Sequence, residues 1–418
     1  MTIKDRKLKN ISFNQTRTFG VEIEMTWFDR AKADGFVNPL GSGGSSSTRS
    51  DSDLLARFLT AYARLDARGV GYYGNTTPNQ RLANTKVWEV KTDGSVGGMG
   101  LELVSHILKG NDGIAELKAL CDALAFVDAK VDRSCGLHVH WGKKGFSLAA
   151  EAQLMNLYNA NAIALSAMLP SSRASDRGSY GVFNAQSELV TKTDSANNRQ
   201  LESASDPTGL NARRGYTSGR YAVNFRPRYT VEFRQHGGTT DFEKISNWVY
   251  LTQAFMNEAM RRVGVKSAKR KSLVSVSVPS RLLVDCVVLN SLRSAGDGAK
   301  YDKVHNAFVK QAVRTMLKSL KLKYVTTSLY PTDDAMGGLS DYVRGRAKDL
   351  AVGKRGRTMS SNTSLVADMV VGTAGSYSLV GQSTFTKVQM TNARVKAAQV
   401  LLAVRSDDWD GKVTKLYQ

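Results

Sequence analysis

The sequence is poor in several features that define other classes of protein. It has 3 cysteines and 7 prolines among 418 residues. Cys121, Cys135 and Cys286 are unevenly spaced and form neither a disulfide framework nor a CxxC metal site, so we expect a reducing, cytoplasmic setting. No stretch approaches the roughly 18 consecutive apolar residues of a membrane span, and the basic N-terminus lacks the apolar core of a secretory signal. With 42% hydrophobic residues, the composition predicts a soluble globular protein that does not use a membrane.

Glutamate is absent from the last third of the chain. From Val263 to Gln418 there are 25 Lys and Arg against 11 Asp and no Glu, a balance of +14 out of the net charge of +21. Catalytic glutamates must therefore come from the first part. The basic part predicts contact with nucleic acid, an acidic protein surface or a polyanionic substrate. Lysines and arginines that only solvate an outer surface explain a spread-out excess equally well.

The hydrophobic pattern predicts strands and helices in alternation. Strands are expected at 19–28, 86–91, 101–105, 136–141 and 230–236, and helices at 53–67, 112–126, 148–169 and 241–263. The Gly- and Ser-rich stretch 38–50 and the polar stretch 171–218 are interpreted as loops. A basic run at 266–271 predicts a boundary between a catalytic domain, 1–264, and a basic extension, 265–418. The order of the predicted strands and helices favours an α+β fold with a curved antiparallel sheet. Helices would cover one face of this sheet, and ligands would bind to the other.

Three segments place charged or imidazole side chains at every second position between apolar residues. They are Phe19–Met25, Gly136–Trp141 and Thr230–His236. Successive side chains of a strand point to opposite faces, so the apolar residues can face a core while the polar residues share the other face. The predicted core set is Val21, Ile23, Met25, Leu137, Val139, Val231 and Phe233, and the predicted polar set is Glu22, Glu24, His138, His140, Glu232, Arg234 and His236. Like charges on adjacent strands repel, so this face predicts a bound cation or polyphosphate.

Glutamates dominate the candidate ligands, and they are the hard oxygen donors that Mg²⁺ or Mn²⁺ prefers. They are Glu22, Glu24, Glu102 and Glu232. His138 can add a nitrogen ligand, and Arg234 is placed to neutralise phosphate charge. The spacing of His138 and His140 on one strand is also common in zinc sites, so a zinc hydrolase is an alternative at this point.

The motifs resemble those of a known family. The segments are Phe19–Glu24 (FGVEIE), Asp93–Ser95 (DGS), Leu101–Ser105 (LELVS), Cys135–His140 (CGLHVH) and Val231–Thr239 (VEFRQHGGT). In this order they are similar to motifs of the amidoligases, carboxylate–amine ligases of the glutamine synthetase and glutamate–cysteine ligase fold that phages and mobile elements often encode. The resemblance implies a glutamine synthetase-like catalytic domain, a phage or mobile-element origin, and ATP-dependent amide formation through an acyl phosphate.

The resemblance covers roughly residues 18–262 and implies two metal ions and an ATP site. The implied ligands of the metal at the nucleotide phosphates are Glu22, His138 and Glu232, and those of the metal nearer the substrate carboxylate are Glu24 and Glu102. A further carboxylate is usual at the second metal, and Glu89 and Asp93 are the candidates.

The resemblance also implies catalytic and ATP-binding residues. His140 would contact ATP, and Arg234 would stabilise the transferring γ-phosphoryl group. Glu24 and Glu232 would be catalytic together with Arg234. Arg173 of the polar stretch and Arg226, which follows that stretch, would bind the cofactor as well. His236 is expected to form a hydrogen bond near the Gly237–Gly238 turn rather than to bind a metal.

Several partners and one alternative function follow from these expectations. A ligase of this kind would need a carboxylate and an amine substrate, and related ligases often form homo-oligomers. If a phage encodes the chain, we expect it in the host cytoplasm. The alternative is a non-catalytic virion or structural protein on the same fold, with the basic extension bound to nucleic acid or an acidic protein.

Overall fold

The computed structural model describes the parts of the chain that carry the motifs. The described residues are 14–39, 50–70, 86–147, 222–225, 227–264 and 312–320, about half of the positions between 150 and 169, and short pieces between 370 and 399. The elements in chain order are β1 (Thr18–Met25), α1 (Arg30–Val37), α2 (Asp51–Ala63), β2 (Ala67–Val70), β3 (Trp88–Thr92), β4 (Leu101–Val104), β5 (Leu108–Lys109), α3 (Gly110–Phe126), β6 (Gly136–Gly142), β7 (Val223–Asn224), β8 (Thr230–Gly237), α4 (Phe242–Gly264), β9 (Val370–Thr373), β10 (Ser376–Leu379) and β11 (Ser383–Thr384).

The described residues belong to two compact units. The first lies within Met1–Gly145 and Tyr229–Ala254, and the second takes the described residues of Phe146–Arg228, Phe255–Pro331 and Met336–Gln418. Since residues 265–311 lie outside the described part, the predicted boundary after residue 264 stays a prediction.

The first unit is built on a mixed, mostly antiparallel sheet with helices, so the α+β class is confirmed. Its strands lie in the order β2-β3-β4-β1-β6-β8, and β5 pairs with the start of β1. The predicted antiparallel sheet has one parallel pair at its edge, where β2 runs parallel to β3.

The apolar residues of β1, β6 and β8 form one face of the sheet, as their alternation predicted. Every member of the predicted core set is at most 1% exposed: Val21, Ile23, Met25, Leu137, Val139, Val231 and Phe233. Helix α4 contacts this face, where the indole nitrogen of Trp141 donates to Thr252 Oγ1 at 2.9 Å. Burying the apolar face fixes which side chains point the other way, since a slip of one residue would exchange the two faces.

The register of β8 differs from the prediction at His236. Val139 pairs with Phe233 but Leu137 pairs with His236, so two residues of β8 oppose one residue of β6. This β-bulge moves His236 out of the alternation and opposite a core residue. The expectation that His236 shares the polar face is therefore wrong. Its Nδ1 lies 2.6 Å from Gly237 O, and its ring is 5.0 Å from that of Trp248, so the expected hydrogen bond near the turn is confirmed.

Helix α1, strand β2 and the cap of helix α2 were not predicted. Helix α1 begins after Asp29, whose side chain accepts from Lys32 N. Helix α2 is capped by Ser50, whose hydroxyl accepts from Asp53 N at 3.3 Å. The helix ends at Ala63 instead of residue 67, so the chain can form β2.

The second unit has fewer described residues. Most of the described positions between 150 and 168 are helical, as predicted, and Asn161 lies in a turn. Residues 312–319 are also helical. Strands β9, β10 and β11 form a small antiparallel sheet in the order β11-β10-β9. Among the helices of the described part, none has both the length and the hydrophobicity of a membrane span.

Candidate metal centre

Strands β4, β1, β6 and β8 are neighbours, and their register brings the polar side chains together. The directly opposed residues are Glu24 and Glu102, Glu22 and His138, and His140 and Glu232. Side chains of opposed residues on neighbouring antiparallel strands lie about 5 Å apart at Cβ. Their acidic and imidazole atoms form two adjoining clusters on the face away from the core.

The first cluster, which we call the imidazole cluster, contains Glu22, His138, His140, Glu232 and Arg234. His138 Nδ1 lies 2.9 Å from Glu22 Oε2 and 3.7 Å from Glu232 Oε1. His140 Nε2 lies 3.2 Å from Glu22 Oε1 and 3.8 Å from Glu232 Oε1. Arg234 forms an ion pair with Glu232 Oε1. One atom each from Glu22, His140 and Glu232 lies within 4.8 Å of the others, as a shared metal ion requires.

His140 presents a buried nitrogen to this cluster. Its Nδ1 is 3.2 Å from Thr230 Oγ1, which fixes the orientation of the ring. Its Nε2 is buried and forms no hydrogen bond among the described residues, although Glu22 Oε1 lies 3.2 Å away. Buried polar atoms without a partner are rare in proteins. A hydrogen bond at one ring nitrogen and a second nitrogen without one are typical of a histidine at a metal site.

The charges of the imidazole cluster compensate one another. Burial by itself would raise the pKa of the Glu22 carboxyl, but the charge of His140 and the hydrogen bond with His138 hold that pKa well below its usual value. Burial would lower the pKa of His140, yet the neighbouring Glu22 and Glu232 raise it. The two residues therefore favour each other's charged form.

The second cluster, which we call the carboxylate cluster, contains Glu24, Asp93 and Glu102. One oxygen from each lies within 4.8 Å of the others. Glu24 Oε2 accepts from Gly136 N at 2.5 Å, and Glu24 Oε1 is 3.7 Å from His138 Nε2. Burial and the charge of Glu22 raise the pKa of Glu102 to about 8, with Asp93 and Glu24 acting in the same direction and the charge of Lys91 opposing them. This crowding of buried carboxylates favours a bound cation.

A tight turn places Asp93 in the carboxylate cluster. The Asp93 side chain accepts from Ser95 N and Ser95 Oγ, both at 2.7 Å. Gly98 has a φ of +66°, and a Cβ there would clash with the backbone oxygen of Thr26. Only glycine fits this position. The Asp-Gly pair was a turn signal in the sequence, but its distance from Glu24 could not be predicted.

Glu89, the other candidate for the additional carboxylate, is not in either cluster. Its side chain is 3% exposed and forms ion pairs with Arg68 at 2.5 Å and with Lys91 at 3.1 Å. Burial would raise the pKa of Glu89, but the hydrogen bond with Arg68 and the charge of Lys91 lower it. Of the two candidates, the geometry favours Asp93.

The structure brings together seven residues that the sequence predicted for the site. They are Glu22, Glu24, Glu102, His138, His140, Glu232 and Arg234. The clusters are linked, since atoms of Glu22, Glu102 and His138 also lie within 4.8 Å of one another. Arg173 and Arg226 lie outside the described residues. Thr230, which holds His140, was not predicted, because a threonine on a strand carries no signal of such a role.

The donor set of the two clusters fits a hard divalent cation. Carboxylate oxygens predominate, imidazole nitrogens supplement them in one cluster only, and thiolate is absent among the described clusters. Mg²⁺ and Mn²⁺ prefer such sets. The buried Nε2 of His140, which forms no hydrogen bond, and the high pKa of Glu102 are the two features that a bound cation would explain best.

Comparison with known proteins identifies one related family. Residues 15–256, more than half of the chain, match a family model described as "Putative amidoligase enzyme". The matched region contains every residue of both clusters. No curated protein matches the chain.

Proposed function

The chain belongs to the amidoligase family, and on that premise we propose that it is an ATP-dependent carboxylate–amine ligase with a glutamine synthetase-like catalytic fold. The observation that carries the proposal is the pair of adjoining clusters on one sheet face, linked by Glu22 and Glu102. A single metal ion would need only one of the two clusters. Two adjoining sets of hard ligands support a site that accepts both a triphosphate and a carboxylate.

We assign each cluster to one end of the reaction. The imidazole cluster would hold the Mg²⁺ or Mn²⁺ that binds the nucleotide phosphates, through Glu22, His138 and Glu232. The carboxylate cluster would hold a second ion near the substrate carboxylate, through Glu24 and Glu102, with Asp93 as the additional ligand. Bound ions would supply positive charge that offsets the repulsion between a carboxylate and a triphosphate.

The reaction would take place in two steps. In the first, an oxygen of the substrate carboxylate attacks the γ-phosphorus of ATP, the bond to the β–γ bridging oxygen breaks, and ADP leaves. In the second, the amine nitrogen attacks the carbonyl carbon of the acyl phosphate, the bond to the phosphate oxygen breaks, and the amine loses a proton. The products are an amide, ADP and phosphate.

Arg234 and His140 would act on the nucleotide. The Arg234 side chain is 29% exposed at the rim of the imidazole cluster, and its ion pair with Glu232 holds the guanidinium beside the ligands. A guanidinium in this position can neutralise charge on the transferring phosphoryl group. His140, oriented by Thr230, would contact the nucleotide at the same side of the site. Arg173 and Arg226 are proposed to bind the cofactor as well.

Nucleotide turnover tests the proposal even while the two substrates are unidentified. We would incubate the purified chain with ATP, Mg²⁺ or Mn²⁺, and pools of carboxylates and amines, and measure release of ADP and phosphate. The proposal expects release that requires the metal and both pools, and that falls at least about 100-fold in Glu232→Gln. Glu243→Gln, a glutamate of α4 outside the site, is the matched control and should retain wild-type turnover. Equal turnover in wild type and Glu232→Gln would overturn the proposal.

A further inference from the structure

Lys91 lies directly opposite Glu102 across the antiparallel pair β3 and β4. A lysine and a glutamate in opposed positions are placed to form an ion pair. Among the described residues, however, no ion pair joins them. The Lys91 Nζ lies 3.1 Å from Glu89 Oε2 instead, and its side chain is only 15% exposed.

Glu89 draws the lysine away from the carboxylate cluster. It lies two residues before Lys91 on β3, so the two side chains share one face of the sheet. Its carboxylate is buried and binds Arg68 as well as Lys91. The single negative charge of Glu89 therefore faces two positive charges. Glu102, whose oxygens belong to the carboxylate cluster, has no ion-pair partner among the described residues.

We propose that Glu89 is a positioning residue that binds Lys91 and thereby keeps the carboxylate of Glu102 available to a divalent cation. The inference rests on the proposed function in one respect, the divalent cation at the carboxylate cluster. Without Glu89, the ammonium of Lys91 has an opposed carboxylate within reach on the next strand. An ion pair between Lys91 and Glu102 would then compete with the divalent cation for the same oxygens.

Binding of Mn²⁺ to the full chain, followed by electron paramagnetic resonance without nucleotide, tests the inference. Glu89→Gln should weaken binding of the Mn²⁺ at the carboxylate cluster about tenfold, since a charge at this distance from a ligand acts strongly in a buried setting. The double variant Glu89→Gln/Lys91→Met should bind within about twofold of wild type, because the competing ammonium is gone. A merely structural role for Glu89 would not be rescued by removing Lys91.

Arg68→Met is the matched control. It removes the other cation of Glu89 but leaves Lys91 bound, so its Mn²⁺ affinity should equal that of wild type. Unchanged binding in Glu89→Gln, or a double variant as weak as Glu89→Gln, would overturn the inference.

A second comparison covers the case in which Glu89→Gln alone does not fold. A chain without the lysine has no need of Glu89, so the double variant must bind Mn²⁺ as tightly as Lys91→Met does. Weaker binding by the double variant would overturn the inference. Failure of the wild-type chain to bind Mn²⁺ would overturn the proposed function too, whereas equal binding by wild type and Glu89→Gln overturns only the role of Glu89.

Discussion

The two clusters of the site balance their charge in different ways. In the imidazole cluster, Glu22 lies against both histidines and Glu232 is paired with Arg234. In the carboxylate cluster, Glu102 has no ion-pair partner among the described residues, and its pKa is about 8. The first cluster is therefore stable as an internal network. The second cluster favours a bound proton or divalent cation at neutral pH. The two clusters should therefore respond differently to metal, mutation and pH.

The largest effect should be the difference in turnover between variants of Glu22, a ligand in two groups, and of Glu24, a ligand in one. Glu22 belongs to two of the three ligand groups, whereas Glu24 belongs to one. We expect Glu22→Gln to lower ADP formation about 1000-fold and Glu24→Gln about 100-fold, because each lost ligand weakens charge stabilisation by several kcal/mol. Steady-state turnover with saturating Mg²⁺ measures both. Equal losses would mean that the clusters do not share Glu22.

A smaller effect should follow from releasing His140 in the imidazole cluster. Thr230→Val removes the hydroxyl that lies 3.2 Å from His140 Nδ1 and nearly preserves the shape of the side chain. His140 is the proposed nucleotide contact, and loss of the hydrogen bond that orients it should weaken ATP binding about tenfold. We expect a raised KM for ATP with little change in kcat, and recovery in Thr230→Ser. A Thr230→Ser variant as impaired as Thr230→Val would contradict the role of the hydroxyl.

The smallest effect concerns the pH dependence of stability in the metal-free chain. The pKa of Glu102 is raised from 4.5 to about 8 by burial and by its acidic neighbours. Its contribution to stability is fully present below pH 4.5 and is lost as the pH rises through 8, because the folded state holds a proton that the unfolded state has released. Glu102→Gln should remove this loss and raise the melting temperature at pH 8 in chelator by about 5 °C.

Thermal unfolding of both proteins in chelator between pH 5 and 8.5 measures this effect. The melting temperatures of the two proteins should converge at acidic pH and separate at alkaline pH. Glu243→Gln, which lies outside the site, should keep the pH dependence of wild type. A constant difference between wild type and Glu102→Gln at all pH values would show that Glu102 does not carry the proton.

Much of the site could be predicted from alternation within single strands. Glu22 and Glu24 had to share a face once Val21 and Ile23 were buried, and the same holds for His138 and His140. Alternation failed at His236, because a bulge depends on how two strands pair and not on either strand alone. Glu89 was also misplaced among the ligand candidates, since nothing on its own strand shows that Arg68 lies beside it.

Outside the bulge at His236, the amino-acid sequence by itself determined which side chains point away from the core, because the direction of a strand side chain follows from local backbone geometry and from burial of its apolar neighbours. It also carried the family motifs. Only the tertiary structure decided which of the acidic groups come within 4.8 Å of one another, that Asp93 and not Glu89 joins Glu24 and Glu102, and that Lys91 is held by Glu89. These depend on strand order and register, which arise from contacts between residues far apart in the chain.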